Sequence, residues 1–346
     1  MTQLIVMRRY PDIEGKGTGI GSYSDMLDSM LSENGVDHED VYLKLSTDEG
    51  YLKCLRQGFI APSLFLRKTD CQLYHATDEL CCMSFPRIRG KKVVTFHHVS
   101  KGREGKSPLL FAIWKIAAKR AVKHSDAIIA VSHQTRDEVV GKLGADPEKV
   151  YVLEHTVDPV FRDLGGPREK VIGFVGTLIE RKNVPGGLRA FKLFTEMPGT
   201  DGYRFVICGE GPMKSELVSL SESLGIADRV VFTSGLGKKD LLELYNGMVV
   251  FANSSMHEGL GLTALEAQAC GAPVVFFKDA DIPEEATKHF VPSGDEEEFA
   301  RNMYKLAMDE EYRRKVTGGA SFGLSPEEYS RELFGIYSKV LGRKFP

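Results

Sequence analysis

The feature that most constrains this chain is an alternation of short, uninterrupted apolar runs with longer amphipathic stretches. One series of runs comprises Leu4–Met7, Val41–Leu45, Val93–Phe96, Ala127–Val131 and Tyr151–Leu153. A second comprises Val171–Val175, Arg204–Cys208, Val230–Thr233, Val249–Ala252 and Val274–Phe277. Runs of Val, Ile and Phe separated by helix-length segments imply parallel strands buried on both faces. Ten strands in one open sheet would be unusual, so the pattern predicts an α/β chain of two doubly wound domains.

A length of 346 residues suits two domains. The natural break is "FRDLGGPREK", Phe161–Lys170, where Gly165, Gly166 and Pro167 interrupt the pattern. The expected domains are therefore 1–160 and 161–325. A helix over Pro326–Leu341 lies beyond the second series and can pack back on the first domain.

Composition excludes several classes. A formal net charge of −3 carries no nucleic-acid signature. Leu4–Met7 is too short for a secretory leader, and no apolar window is long enough to span a membrane. The six cysteines include no C-x-x-C pair, which reads as reduced thiols in a cytoplasmic protein.

"EGKGTGIGSYSDML", Glu14–Leu27, places Gly15, Gly17, Gly19 and Gly21 at alternate positions before a helical run. It fits neither the dinucleotide fingerprint nor a P-loop, since Ile20 and Ser22 stand where the third glycine is required and no Lys-Ser/Thr follows. What remains is a glycine loop ending at a helix N-terminus near Ile20–Tyr23, open to an anion or to a role as a plain surface turn.

The second half carries the stronger signal. "NSSMHEGLGLTALEAQACGAPVV", Asn253–Val275, runs from a strand through a loop with Gly259 and Gly261 into a short helix. It sits where open α/β sheets bind ligands, and Glu258 and Glu266 form an E-x7-E pair flanking the turn. Carboxylates accepting from hydroxyls beside backbone N–H donors suit a phosphorylated polyol, although a carboxylate at a helix start also serves as a capping charge. "GTLIERKNVPGGLRAF", Gly176–Phe191, brings Arg181 and Lys182 to another strand's carboxyl end. Adjacent cations there suit a diphosphate, whereas a lone Arg-Lys pair is ordinarily a solvated surface feature. "ICGEGPM", Ile207–Met213, reads as a chain reversal.

Together these segments resemble family 4 of the retaining glycosyltransferases, which has the GT-B fold of two Rossmann-like domains facing across a cleft. The most specific block is "SSMHEGLGLTALEAQACGAPVV"; "GTLIERKN", "CGEGPM", "TGIGSY", "VVTFHHV", "DAIIAVSHQTRDEV" and "HTVDPVF" follow the family's order over nearly the whole chain. The resemblance implies transfer of a sugar from a nucleotide diphosphate sugar to an acceptor hydroxyl, with acceptor-side domain 1–160 and donor domain 161–325. By resemblance, Arg181 and Lys182 neutralise the leaving diphosphate. Glu258 contacts the donor sugar, the N–H groups of Gly259, Leu260, Gly261 and Leu262 hold sugar and phosphate, and Glu266 accepts from the ribose. Gly19 and Gly21 approach the diphosphate. His97 is the active-site histidine, though His98 follows it where many relatives have aspartate. Neither glutamate is a nucleophile. No tightly bound cofactor and no metal are implied, and adjacent histidines on a strand would point to opposite faces.

Ser132 reads as a helix N-cap. Lys101–His124 holds seven Lys/Arg and one acidic residue around a cluster that includes Trp114. It suits either an anionic membrane surface near a lipid-linked acceptor or a sheet-covering helix with solvated charges. Glycans and small molecules are the other acceptor classes. The rival readings are a sugar-nucleotide 2-epimerase, which the E-x7-E block disfavours, and a noncatalytic nucleotide-sugar sensor or partner subunit.

Overall fold

Strands β1 (Leu4–Arg9), β2 (His38–Leu43), β3 (Leu73–Ala76), β4 (Lys91–Phe96), β5 (Ala127–Ala130) and β6 (Val150–Val152) pair in the order β2-β1-β3-β4-β5-β6. Strands β7 (Val171–Val175), β8 (Arg204–Cys208), β9 (Val230–Thr233), β10 (Met248–Asn253), β11 (Val274–Phe277) and β12 (Val291–Ser293) pair in the order β12-β11-β10-β7-β8-β9. Every pairing in both sheets is parallel. The structure, a computed structural model, describes residues 3–9, 19–43, 56, 60–100, 108–318 and 323–345.

The chain divides into two units. The first joins β1, Gly19–Thr156 and the segment from Leu324 onward; the second holds Val157–Gly323. In the first unit the period-2 alternation of buried strands feeds two cores. Ile5, Met7, Val94, Phe96 and Ile128 pack with Trp114 and Ala118 of the helix Pro108–His124. Leu4, Val6, Val93 and Ile129 pack instead with Tyr23 and Leu27 of the helix Gly19–Glu33 and with Leu333 and Tyr337 of the helix Pro326–Leu341. That last helix starts where Ser325 and Glu328 form a reciprocal capping box ahead of Pro326, and stops at left-handed Gly342. In the second unit, Ile172, Phe174, Phe205 and Val250 pack with Phe191 and Phe194 of the helix Val184–Thr195 and Phe299 of the helix Glu296–Met308.

Several expectations are revised. Two strands, β3 and β12, had no counterpart in the apolar series. Edge strand β2, His38–Leu43, begins before the expected run, whose last two residues lie outside the described residues. His97 and His98 are not strand residues, because β4 ends at Phe96. Trp114 is buried at 5% exposure, so the large aromatic of the basic segment belongs to the core and is not available to a membrane. Cys71, Cys81, Cys82, Cys208 and Cys270 are free and buried, and burial pushes the Cys208 thiol up to about 11. Among the described residues no helix is long and apolar enough to cross a membrane.

Candidate functional site

In the second sheet, β7 and β10 are neighbours from which the chain winds in opposite directions, to β8 and β9 on one side and β11 and β12 on the other. This reversal is the topological switch point, and ligands in open α/β sheets bind outside the carboxyl ends of the two strands that flank it. The loops emerging there carry Arg181 and Lys182 after β7, and Glu258, Gly259, Leu260 and Gly261 after β10.

Part of the bracing of the loop after β7 is backbone to backbone. Leu178 N–H donates to the Glu210 carbonyl at 2.9 Å, and Met213 N–H donates to the Leu178 carbonyl at 3.2 Å. A Cβ on Gly209 would lie 1.9 Å from the Gly176 carbonyl oxygen, and one on Gly211 would lie 2.3 Å from that of Leu178. The glycines of "CGEGPM" therefore do more than reverse the chain: they let one loop press against the other. A 3-10 turn, Glu180–Lys182, then presents the two cations, and Asn183 at φ 44° redirects the chain into the helix Val184–Thr195. The two loops are also bonded to each other. Met256 N–H donates to the Arg181 carbonyl and the Ser254 hydroxyl to the Lys182 carbonyl, both at 2.8 Å.

Glu258 unites the site. Its Oε1 accepts from Lys182 Nζ. Its Oε2 accepts from Arg181 Nη1 at 3.0 Å, and the same Nη1 reaches the His257 carbonyl at 2.8 Å. Burial works to raise the Glu258 pKa, but Lys182 and Arg181 overcome it and hold the carboxyl at about 2. Burial also lowers Lys182, against the pull of Glu258. Two cations facing one ionised carboxylate leave a positive charge in excess. Arg181 Nε is buried with no hydrogen-bond partner among the described residues. The helix Leu262–Ala269 starts beside this cluster at Gly261, whose φ of 86° suits glycine, and no side chain caps its first turn. The arrangement is built for an anion next to a group rich in hydroxyls.

Glu266, inside that helix, has a different partner. Tyr245, from the helix Lys238–Gly247, donates its hydroxyl to Glu266 Oε2 at 2.8 Å. Tyr245 is fixed edge-on against Phe161, ring centroids 5.6 Å apart. Burial raises Glu266 to about 7, opposed by the Tyr245 bond. Tyr245 carries no sequence signal of this role, being a lone aromatic on a helix with no motif around it.

In the first unit, His97 lies just past β4. Its Nε2 is 2.8 Å from the Thr77 carbonyl, and its Nδ1 is 3.1 Å from Nε2 of His155, another residue the sequence reading passed over. Tyr23 packs on both rings, edge-on to His97 at 4.9 Å and tilted against His155 at 4.5 Å. Gly19 and Gly21 open the helix Gly19–Glu33, whereas Gly15 and Gly17 lie outside the described residues. Ser132 is the N-cap of the helix His133–Leu143, accepting from Thr135 N–H. Of the basic segment, 101–107 lies outside the described residues. In the helix that follows, Trp114 Nε1 donates to Glu79 Oε1 at 2.5 Å, while Lys115, Lys119 and Lys123 form an exposed stripe at helical spacing.

Known proteins resemble this chain over most of its length. Residues 161–320 match the family model described as Glycosyl transferases group 1, and residues 33–161 match Glycosyltransferase Family 4. A D-inositol 3-phosphate glycosyltransferase of Actinosynnema mirum is 30% identical over 250 residues, which covers 65% of this chain and 60% of that protein. A 2-deoxystreptamine N-acetyl-D-glucosaminyltransferase of Streptomyces fradiae is 29% identical over 224 residues, covering 59% of this chain and 52% of that one. The chain thus spans 60% or less of the length of these curated relatives. Among solved structures, sucrose-phosphate synthase from Thermosynechococcus elongatus aligns at a TM-score of 0.78 and 16% identity, covering 98% of this chain and 99% of that one. Anabaena HepE, in complex with UDP and glucose, aligns at 0.73 and 16%, covering 98% and 100%. The fold is GT-B, with two Rossmann-like units.

Proposed function

We propose that this chain is a group 1 glycosyltransferase that moves a sugar from a nucleoside diphosphate sugar to an acceptor hydroxyl with retention of anomeric configuration. The observation that carries the reading is the Glu258 carboxylate holding Arg181 and Lys182 together at the switch point of the second sheet. In the reaction the bond between the sugar's anomeric carbon and the phosphate oxygen breaks. A bond from that carbon to the acceptor oxygen forms, and the acceptor's proton passes to the departing phosphate oxygen. Negative charge grows on the diphosphate as the bond breaks, so Arg181 and Lys182 act chiefly in the transition state. Glu258, held ionised, accepts from the sugar hydroxyls once the diphosphate competes for its cations. The N–H groups of Gly259, Leu260, Gly261 and Leu262 hold sugar and phosphate. Glu266 takes the ribose hydroxyls, Gly19 and Gly21 approach the diphosphate, and His97 lines the sugar and acceptor region.

HepE, with UDP and glucose bound, supports a uridine nucleotide as the first donor to try. The Actinosynnema relative's name, D-inositol 3-phosphate glycosyltransferase, supports a small polyol acceptor. A glycan or lipid-linked acceptor at the cytoplasmic membrane face rests on the cationic stripe Lys115, Lys119 and Lys123. No metal or tightly bound cofactor takes part.

The test is release of nucleoside diphosphate from UDP-, GDP- and ADP-sugars, with and without polyol and lipid-linked acceptors, in wild type and Glu258→Gln. Acceptor-dependent release lost in the variant is expected. Tight donor binding without transfer or hydrolysis across the panel points to a sensor, and conversion of the donor to its 2-epimer points to the epimerase. Either result overturns the reading.

A further inference from the structure

His97 and His155 meet nitrogen to nitrogen, and that contact fixes where their protons sit. The Thr77 carbonyl can only accept, so His97 Nε2 carries a hydrogen and donates across 2.8 Å. A neutral His97 then has a bare Nδ1, which can accept from His155 Nε2–H at 3.1 Å. The reverse direction would require His97 to be protonated on both nitrogens. It would also leave His155 with its hydrogen on Nδ1, and that atom is buried with no partner among the described residues. A buried N–H without an acceptor costs about 1–3 kcal/mol, whereas a bare ring nitrogen there is the lesser loss. Burial, then the neighbouring His97, holds His155 well below the ordinary histidine range, in keeping with a neutral ring. Tyr23 packs on both imidazoles and is itself fixed by its hydroxyl, 3.0 Å from Thr95 Oγ1, so neither ring is free to turn.

We propose that His155 is a positioning residue: it donates from Nε2 to His97 Nδ1 and, with the Thr77 carbonyl, locks His97 as a neutral Nε2–H tautomer with no lone pair left for an acceptor proton. His97 then serves as a fixed wall of the site, and the acceptor proton goes to the departing phosphate. This role in the reaction rests on the transferase reading above; the hydrogen bond itself does not.

The experiment is 15N NMR of the full chain with labelled histidines, paired with transfer kinetics. In wild type, His97 shows a protonated Nε2 and an unprotonated Nδ1, with a scalar coupling from Nδ1 to His155 Nε2 across the hydrogen bond. His155→Phe removes the donor at similar volume, and His155→Asn restores an N–H. The expected kcat falls about tenfold to a hundredfold in the Phe variant, with little change in donor KM, and recovers to within about threefold in the Asn variant. Protonation of His97 Nδ1 in a wild type that transfers sugar overturns the proposal and leaves the transferase reading standing. The coupling in a wild type that transfers nothing preserves the hydrogen bond but overturns the transferase reading and the role built on it. Full turnover of His155→Phe overturns the positioning role. The wild-type spectrum decides the hydrogen bond even if a variant fails to fold.

Discussion

Tyr245 donates its hydroxyl to Glu266 Oε2 at 2.8 Å, with both side chains buried. Burial holds the Glu266 carboxyl up at about 7, so the folded protein keeps a proton that an unfolded chain releases near pH 4.3. Because this pKa is raised, the stabilisation is complete below about pH 4.3 and is lost as pH climbs through 7. The expected loss is on the order of 3 kcal/mol. Glu266→Gln, neutral throughout, removes this slope. Denaturant unfolding at pH 5 and pH 8 should show the variant gaining about 2–3 kcal/mol on wild type between the two. A constant difference would mean that the carboxyl is already ionised at pH 5.

Replacing Glu258 separates binding from chemistry. In Glu258→Gln the two cations lose their carboxylate, so calorimetry should find nucleoside diphosphate bound as well as in wild type or more tightly. Transfer should fall by about a hundredfold or more. Glu258→Ala leaves Lys182 buried without its anion and should cost about 3–5 kcal/mol of stability, read by chemical denaturation.

The glycine brace behind the cations is equally testable. A methyl on Gly209 would meet the Gly176 carbonyl oxygen at 1.9 Å, a backbone atom with nowhere to swing. Gly209→Ala should cost about 1–3 kcal/mol and lower kcat by displacing Arg181 and Lys182. Gly166→Ala, with nothing within 4 Å, is the control and should match wild type in melting temperature.

The proposed membrane contact rests on Lys115, Lys119 and Lys123, since Trp114 is buried. Each lysine near an anionic surface contributes about 1 kcal/mol. Sedimentation with vesicles rich in anionic lipid should therefore weaken about a hundredfold in the triple Lys→Glu variant. Equal sedimentation of both proteins would rule out this face.

Ten of the strands were legible because continuous Val, Ile and Phe runs need no context to be read as buried. The two missed strands lack that signal. In β3, "LYHA", His75 is tolerated in the core only because Tyr337 and Thr95, far away in sequence, take its two nitrogens at 2.6 and 2.9 Å. In β12, "VPS", the proline suits only a sheet edge, which is where the strand lies. The E-x7-E loop and the Arg181–Lys182 pair were legible as charges at strand ends. Their pairing through Glu258, and the attachment of Glu266 to Tyr245, depend on long-range partners that no local pattern announces. The burial of Trp114 decides between two readings left open by the sequence, because a basic helix looks the same whether its aromatic faces outward or inward.

The bond between Tyr337 and His75 links residues 262 positions apart. The helix that bears Tyr337 is synthesised only after the whole second unit. At about 5–20 residues per second, roughly ten to forty seconds separate the first unit's last strand from the helix that covers one of its faces. During translation Leu4, Val6 and Ile129 remain partly uncovered, while the second unit already has every strand and helix of its own core. On the ribosome the downstream unit is therefore the first able to complete its core, while the upstream unit keeps one face uncovered until the helix Pro326–Leu341 emerges.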